Sequence, residues 1–107
     1  MREIRFKSFP AVEGVRPAID TLESLRAIVR YPGQHGATAA DQYTGCDVLA
    51  ALQAAVDAGR GGVRLEDAQW SWLKERASSY RWVLVDPAIA EILRDVMNAS
   101  VYDPNAA

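Results

Sequence analysis

The 107-residue sequence contains one cysteine and one histidine. A single thiol cannot form an internal disulfide, so the fold depends on its apolar core. The two residues, Cys46 and His35, do not supply the four ligands of a structural zinc site. Cys46 adjoins Asp47, which disfavours a reactive thiolate, and no nucleophile is paired with His35. We therefore expect no catalytic residue, no metal and no cofactor.

Long apolar runs and an excess of positive charge are also absent. No apolar stretch approaches the ~20 residues that cross a bilayer, and Met1–Arg5 lacks the apolar segment of a signal peptide. The net charge is −2, whereas nucleic-acid-binding domains are usually basic. These absences predict a chain made and kept in the cytoplasm, with no membrane contact, and they disfavour nucleic acid as a partner.

Glycine-rich and helix-turn-helix patterns give no positive assignment either. Gly59–Gly62 lacks the Lys-Ser/Thr pair of a phosphate-binding loop, so it is interpreted as a helix end and turn. The helix predicted after it starts with Glu66 and Asp67. These carboxylates would repel phosphates in a DNA-reading helix-turn-helix unit.

Half of the residues are apolar, which is too many for a disordered chain and enough for a core at this length. Residues 2–9 alternate, with Ile4 and Phe6 on one face, and this pattern predicts a strand. After a Pro/Gly turn, Val15–Ile19 can return as a second strand. It would be an edge strand, because Pro17 has no backbone N–H to donate.

Four helices are predicted by apolar residues at helical spacing between start and stop signals. Asp20 and Glu23 have the spacing of a capping box, and Asp41 stands at the same distance after Thr38. Asp86 precedes the last helix, and Pro87 takes its first position, where the missing N–H of a proline costs nothing. The predicted helices span 20–30, 38–58, 66–77 and 87–98.

Residues 78–85 are open to two interpretations, a short strand or the frayed end of the third helix. The sequence as a whole predicts an α+β fold that is mostly α. In this fold a short N-terminal β-strand or hairpin packs on a compact bundle of about four helices. Residues 1–98 form the single globular domain, and 99–107 form a short C-terminal tail.

Negative charge is concentrated in the predicted second helix, which carries Asp41, Asp47 and Asp57 and no basic residue. One interpretation is a helix face in contact with solvent, where charge serves solubility. The other is an acidic surface that docks on a basic partner.

Aromatic residues are concentrated further along the chain, in Trp70–Trp82. At about 100° per residue, Trp72 lies about 200° around a helix from Trp70, so the two cannot face the same core. Either most of these rings fill the core, or one tryptophan stays exposed in a contact surface, where Trp, Tyr and Arg are enriched. The candidate partner-binding residues are Trp72, Arg76, Arg81 and Trp82, with Tyr31 beside the Pro/Gly loop and the acidic Asp41 and Asp47.

The order of the elements is also informative. A charged strand precedes a Thr-Leu helix, and a helix ends in an Ala-Gly turn. Val-x-Leu then leads into an acidic helix with a Leu-Lys pair, and the last helix follows a proline. These pieces are Arg2–Phe6, Thr21-Leu22, Ala54–Gly59, Val63–Asp67, Leu73-Lys74 and Pro87–Leu93. The layout resembles small, mostly uncharacterised proteins of tailed bacteriophages and prophages, from which Trp70–Trp82 and Tyr31–Ala37 depart.

The resemblance implies a phage origin and no enzymatic role. Together with the absence of a catalytic set, it predicts a small phage-encoded accessory protein that acts by binding a host or phage protein, as a regulator or an inhibitor. The alternative is a structural or assembly component of the virion, such as a head or tail accessory protein that associates with itself. The expected location is the cytoplasm of the bacterial host or, for the alternative, the virion.

Overall fold

The computed structural model describes residues 1–102, which form four helices and five short strands. The predicted α+β, mostly α fold is confirmed. In chain order the elements are β1 Arg2–Arg5, β2 Ser8–Phe9, β3 Ile19–Asp20, α1 Thr21–Arg30, α2 Ala39–Asp57, β4 Gly62–Leu65, α3 Asp67–Ser79, α4 Pro87–Met97 and β5 Ser100–Val101.

The main sheet has three antiparallel strands in the order β4-β1-β5. Ile4 of β1 pairs with Val63 of β4, and both side chains are buried with Leu65 against α2. From the sequence pattern, Val63 and Leu65 are expected to lead into the third helix and not to form a strand. They form a strand because β1 offers a paired edge that a local pattern does not reveal.

The residues predicted as a C-terminal tail, 99–107, begin as part of this sheet. Ala99 is buried, and its carbonyl accepts a 3.0 Å hydrogen bond from the Arg2 side chain. Ser100 and Val101 form β5 and pair with the start of β1. Residues 103–107 of the predicted tail lie outside the described residues.

The predicted N-terminal hairpin exists, with different strands. Residues 2–9 are divided at Lys7, whose backbone N–H donates to the hydroxyl of Thr21 and whose carbonyl accepts from the Thr21 N–H. The second half pairs with Ile19–Asp20 as a separate two-stranded sheet. The return strand expected at 15–19 is therefore shorter and lies closer to α1.

The helix starts follow the capping signals. The side chain of Asp20 accepts the Glu23 N–H at 2.7 Å, but Glu23 itself pairs with Arg26, so the predicted capping box is one-sided. Thr38 and Asp41 form a complete box in which each side chain accepts the other's N–H. The reciprocal bonds satisfy two N–H groups that α2 leaves free at its start.

The core lies between the four helices and the main sheet. Each helix contributes a side chain with no exposed surface, and these are Leu25, Leu52, Leu73 and Ile92. The predicted stripe of α2 is buried at Gly45, Val48, Leu52 and Ala55, whereas Val56 is 41% exposed. None of the helices in residues 1–102 combines the length and apolarity that crossing a membrane requires.

Candidate protein-binding surface

The segment between α3 and α4, residues 80–86, is neither helix nor strand; we call it the aromatic loop. Ser78 and Ser79 are the last residues of α3, in line with one of the two interpretations of 78–85. Both hydroxyls donate back to carbonyls of the preceding turn, at 2.9 Å to Lys74 and 3.1 Å to Arg76. Such local bonds compete with helix continuation, so residues 80–85 leave the helix.

Two valines of the aromatic loop stand in solvent. Val83 is 96% exposed and Val85 is 104% exposed, while Trp82 before them and Leu84 between them are half-buried. The half-buried side chains line two grooves, one of about 310 Å³ along the start of α1 and one of about 380 Å³ along α4. The aromatic loop therefore exposes two valines beside two open apolar grooves.

The C-terminal end of the aromatic loop is anchored by Asp86. Its Oδ1 accepts the Ala88 N–H at 2.8 Å and the Arg16 guanidinium at 2.9 Å. The hydrogen bond from Ala88, followed by Arg16, lowers the pKa of Asp86 against the opposing effect of burial. The exposed Val15 and Val85 directly precede Arg16 and Asp86 in the chain. The N-terminal hairpin and the aromatic loop therefore each expose a valine next to the Arg16–Asp86 ion pair.

The other end of the loop is held by aromatic stacking. Tyr80 contacts Tyr31 and Trp82 edge to face, with ring centroids 5.2 Å and 4.7 Å apart, a favourable arrangement of aromatic quadrupoles. The indole N–H of Trp82 is buried and finds no acceptor within residues 1–102. This donor is a polar group without the hydrogen bond that buried N–H groups normally make.

Four of the predicted partner-binding residues meet in one network between α1, α2 and α3. Trp72 donates to Asp41 at 3.0 Å, Arg76 lies 3.8 Å from the same carboxylate, and Arg76 also donates to the carbonyl of Tyr31. The N–H of Thr38, followed by the Trp72 indole, lowers the pKa of Asp41. The polar groups of these four residues therefore bind one another.

The two tryptophans of α3 do face different neighbours, and both are half-buried. Trp70 donates to the carbonyl of Val96 in α4 at 2.8 Å. Trp72 lies over Gly45 of α2, where a Cβ would stand 3.2 Å from the ring. Because α3 packs between α2 and α4, a cluster too large for one face is divided between two.

Two of the three remaining predicted residues, Arg81 and Asp47, are exposed, and Trp82 is half-buried. Arg81 is exposed and forms no ion pair within residues 1–102. Trp82 lies in the aromatic loop, and Asp47 is exposed on the outer side of α2. Of the seven predicted residues, Arg81 and Trp82 are the two that belong to the aromatic loop.

Sequence reasoning missed Val83, Val85 and the Arg16–Asp86 pair. The sequence does indicate that the valines lie outside the last helix. Val83–Val85 precedes the helix start at Asp86-Pro87, so these residues cannot belong to the buried apolar face of α4. The pair joins residues 70 positions apart, so no local pattern could have indicated it.

The remaining candidates for metal binding or catalysis were also located in the structure. No group of three His, Cys, Asp or Glu residues in the described part of the chain is placed to hold a metal ion. Cys46 is exposed on α2, because it lies one position beyond the buried Gly45. His35 is exposed in the loop after α1.

The chain matches no protein-family model, and no curated protein or solved structure matches it. The functional assignment therefore depends on the geometry of residues 1–102.

Proposed function

We propose that this chain is a small accessory protein that acts by binding another protein and not by catalysis. The observation that carries the proposal is the exposure of Val83 and Val85, 96% and 104%, beside two apolar grooves. Contiguous exposed apolar surface typically marks an interaction site. Burying such a side chain in an interface yields about 1.5–3 kcal/mol.

The aromatic loop also has the rigidity that favours binding. Asp86 anchors one end through two hydrogen bonds, and the Tyr31–Tyr80–Trp82 stack holds the other. A surface held in its binding conformation loses less conformational entropy when the partner docks. Trp82 adds the residue type most enriched where interfaces concentrate their binding energy.

The proposed biological setting is a tailed phage, on the resemblance stated for the order of the elements. In that setting the partner is a host or phage protein in the bacterial cytoplasm, and the chain is its regulator or inhibitor. The alternative, a virion component, is favoured by the second apolar region at the hairpin. There Val12 is 42% exposed and Val15 is 66% exposed, so one copy carries two apolar regions that a second copy can cover.

The test is a capture experiment with matched variants. Val83→Ser/Val85→Ser removes the exposed loop valines, and Val101→Ser removes a valine that is 65% exposed on β5. Wild type and Val101→Ser should recover the same protein from a lysate of phage-infected host cells, and the loop variant should lose it. Recovery by all three, or by none, contradicts the proposal.

The virion alternative has its own measurement. Analytical ultracentrifugation should show a monomer for an accessory regulator and concentration-dependent association for an assembly component. Mass spectrometry of purified particles then detects the chain only if it is incorporated.

A further inference from the structure

A polar cleft, distinct from the two apolar grooves beside Trp82, lies between the loop after α1 and the end of α3. Its volume is about 570 Å³. The side chains of His35, Arg76 and Arg81 line it, and no Asp or Glu among residues 1–102 does. In a chain with a net charge of −2, this cleft is a local reversal of sign.

The two arginines of the cleft differ in how far they are already neutralised. Arg76 faces the Asp41 carboxylate at 3.8 Å and donates to the Tyr31 carbonyl. Its side chain is only 16% exposed. Arg81 is exposed and has no ion pair within residues 1–102, so it is the uncompensated charge of the cleft.

One structural explanation for a cation at this place is the negative end of α3, because the last carbonyls of a helix lack partners. The carbonyl of Arg76 accepts the Tyr80 N–H. The Arg81 side chain donates no hydrogen bond to a carbonyl of α3 within residues 1–102, so it does not cap this helix.

The facing wall of the cleft is open. Gly33 and Gly36 have φ values of +80° and +79°, a left-handed conformation that glycine adopts without strain. A Cβ at either position would meet nothing within 4 Å. Neither glycine therefore fills the cleft from the side of this loop.

We infer that this cleft binds a carboxylate from an acidic segment of the protein partner, and that Arg81 is the group that pairs with it. The guanidinium presents a planar set of donors that matches a carboxylate. The inference rests on the proposed function and adds the chemistry of the partner. Tyr80 lines both this cleft and the apolar groove along α1, so one segment can cover Trp82 and place an acidic side chain at Arg81.

The probe for the test is an acetylated, amidated peptide of four glutamates, with the four-glutamine peptide as its neutral counterpart. Binding is followed by ¹H–¹⁵N NMR on the full chain. The glutamate peptide should shift signals of residues 31–36 and 76–81, saturably and less at high salt, while the glutamine peptide should not. Arg81→Gln should weaken the binding about fivefold, as expected for an exposed ion pair.

Arg60→Gln is the matched control. Arg60 is exposed, forms no ion pair in the described part of the chain and follows α2 at the end away from Asp41. This variant should bind the glutamate peptide as wild type does. Equal weakening by both variants, or shifts spread over the whole surface, would overturn the inference. Inorganic phosphate producing the same shifts while the peptide produces none would also overturn it.

The two proposals fail separately. Val83→Ser/Val85→Ser should bind the glutamate peptide normally while it loses the captured protein. If capture succeeds and is insensitive to Arg81→Gln, the carboxylate inference is wrong and the proposed function stands. If capture fails, the peptide measurement still decides whether the cleft takes a carboxylate.

Discussion

The indole N–H of Trp72 donates a 3.0 Å hydrogen bond to Oδ1 of Asp41. The sequence assigns these residues to different surfaces, one aromatic and one acidic, and the structure joins them. Asp41 also closes the capping box of α2 with Thr38. One carboxylate therefore both starts α2 and attaches it to α3, which couples a local helix signal to tertiary packing.

The three tryptophans give a first prediction, because they differ in the partner of the indole N–H. Trp70 and Trp72 donate to Val96 and Asp41, whereas Trp82 has no acceptor within residues 1–102. Replacement by Phe removes the donor and keeps an aromatic ring. We expect Trp70→Phe and Trp72→Phe to lower the melting temperature by several degrees, and Trp82→Phe to lower it less. Thermal unfolding followed by circular dichroism checks the order, and a largest loss at Trp82 would contradict it.

A second prediction concerns acid. Hydrogen bonds lower the pKa of Asp41 and Asp86 below the ordinary value of 3.8. Their contribution to stability is therefore complete above that value and is lost as the pH falls through the lower pKa of the folded state. We expect the urea midpoint to fall as the pH drops below about 4.

The variants Asp41→Asn and Asp86→Asn make this prediction specific. Asparagine keeps an oxygen that accepts the same N–H groups and does not titrate in this range. Each variant should be less stable than wild type at pH 7 and should show a shallower loss of stability in acid. Identical acid profiles for wild type and both variants would contradict the assignment.

The second prediction extends to basic pH, where Lys7 behaves in the opposite sense. Its ammonium lies 3.0 Å from Asp95 and 3.5 Å from Glu91, and the contact with the Asp95 carboxylate raises the pKa of Lys7 above its ordinary value of 10.5. This contribution is present below the ordinary pKa and is lost as the pH rises through the higher pKa of the folded state. Lys7→Met should therefore reduce the slope of stability against pH above about 10, as measured by urea unfolding.

The parts of the fold that the sequence predicts correctly are those decided by residues close together in the chain. Thr38 with Asp41, and Asp86 with Pro87, set helix starts through bonds three residues apart or fewer. Strands β4 and β5 were missed because each forms only against β1. The partners of Glu3 are Arg64 and Ser100, and no pattern within a short window contains that pairing.

The candidate site was predicted in part for the same reason. The local concentration of aromatic and arginine residues indicated Arg81 and Trp82, and this concentration is visible in a short stretch of sequence. Whether Val83 and Val85 are core or surface depends on what packs over them, and apolar side chains are more often interior. Within residues 1–102 the structure places grooves beside them and no covering element, which composition alone does not reveal.

A third prediction uses the exposed thiol. Cys46 stands on the outer side of α2, one position after the buried Gly45. Iodoacetamide is uncharged and so is not repelled by the neighbouring Asp47. It should modify one thiol per native chain at a rate close to that in urea. Mass spectrometry follows the reaction, and strong protection in the native state would contradict the exposure of Cys46.

A fourth prediction separates core from binding surface. Ile92 has no exposed surface, whereas Val83 and Val85 are almost wholly exposed. Ile92→Ala should lower the free energy of unfolding by about 2–5 kcal/mol through lost contacts and a cavity. Val83→Ser and Val85→Ser should each change it by less than about 0.5 kcal/mol. Urea unfolding measures all three, and a large loss at either valine would mean that the aromatic loop is needed for folding.

The last prediction uses two adjacent glycines that differ in the space around them. In β4, a Cβ on Gly62 would stand 2.7 Å from the carbonyl oxygen of Ile4 and 3.1 Å from the Cα of Arg5. Both are backbone atoms, so β1 and β4 must move apart to admit a methyl group. A Cβ on Gly61 would meet nothing within 4 Å. Gly62→Ala should therefore cost about 1–3 kcal/mol of stability, and Gly61→Ala less than about 0.5 kcal/mol. Equal effects in urea unfolding would show that the strands do not approach this closely.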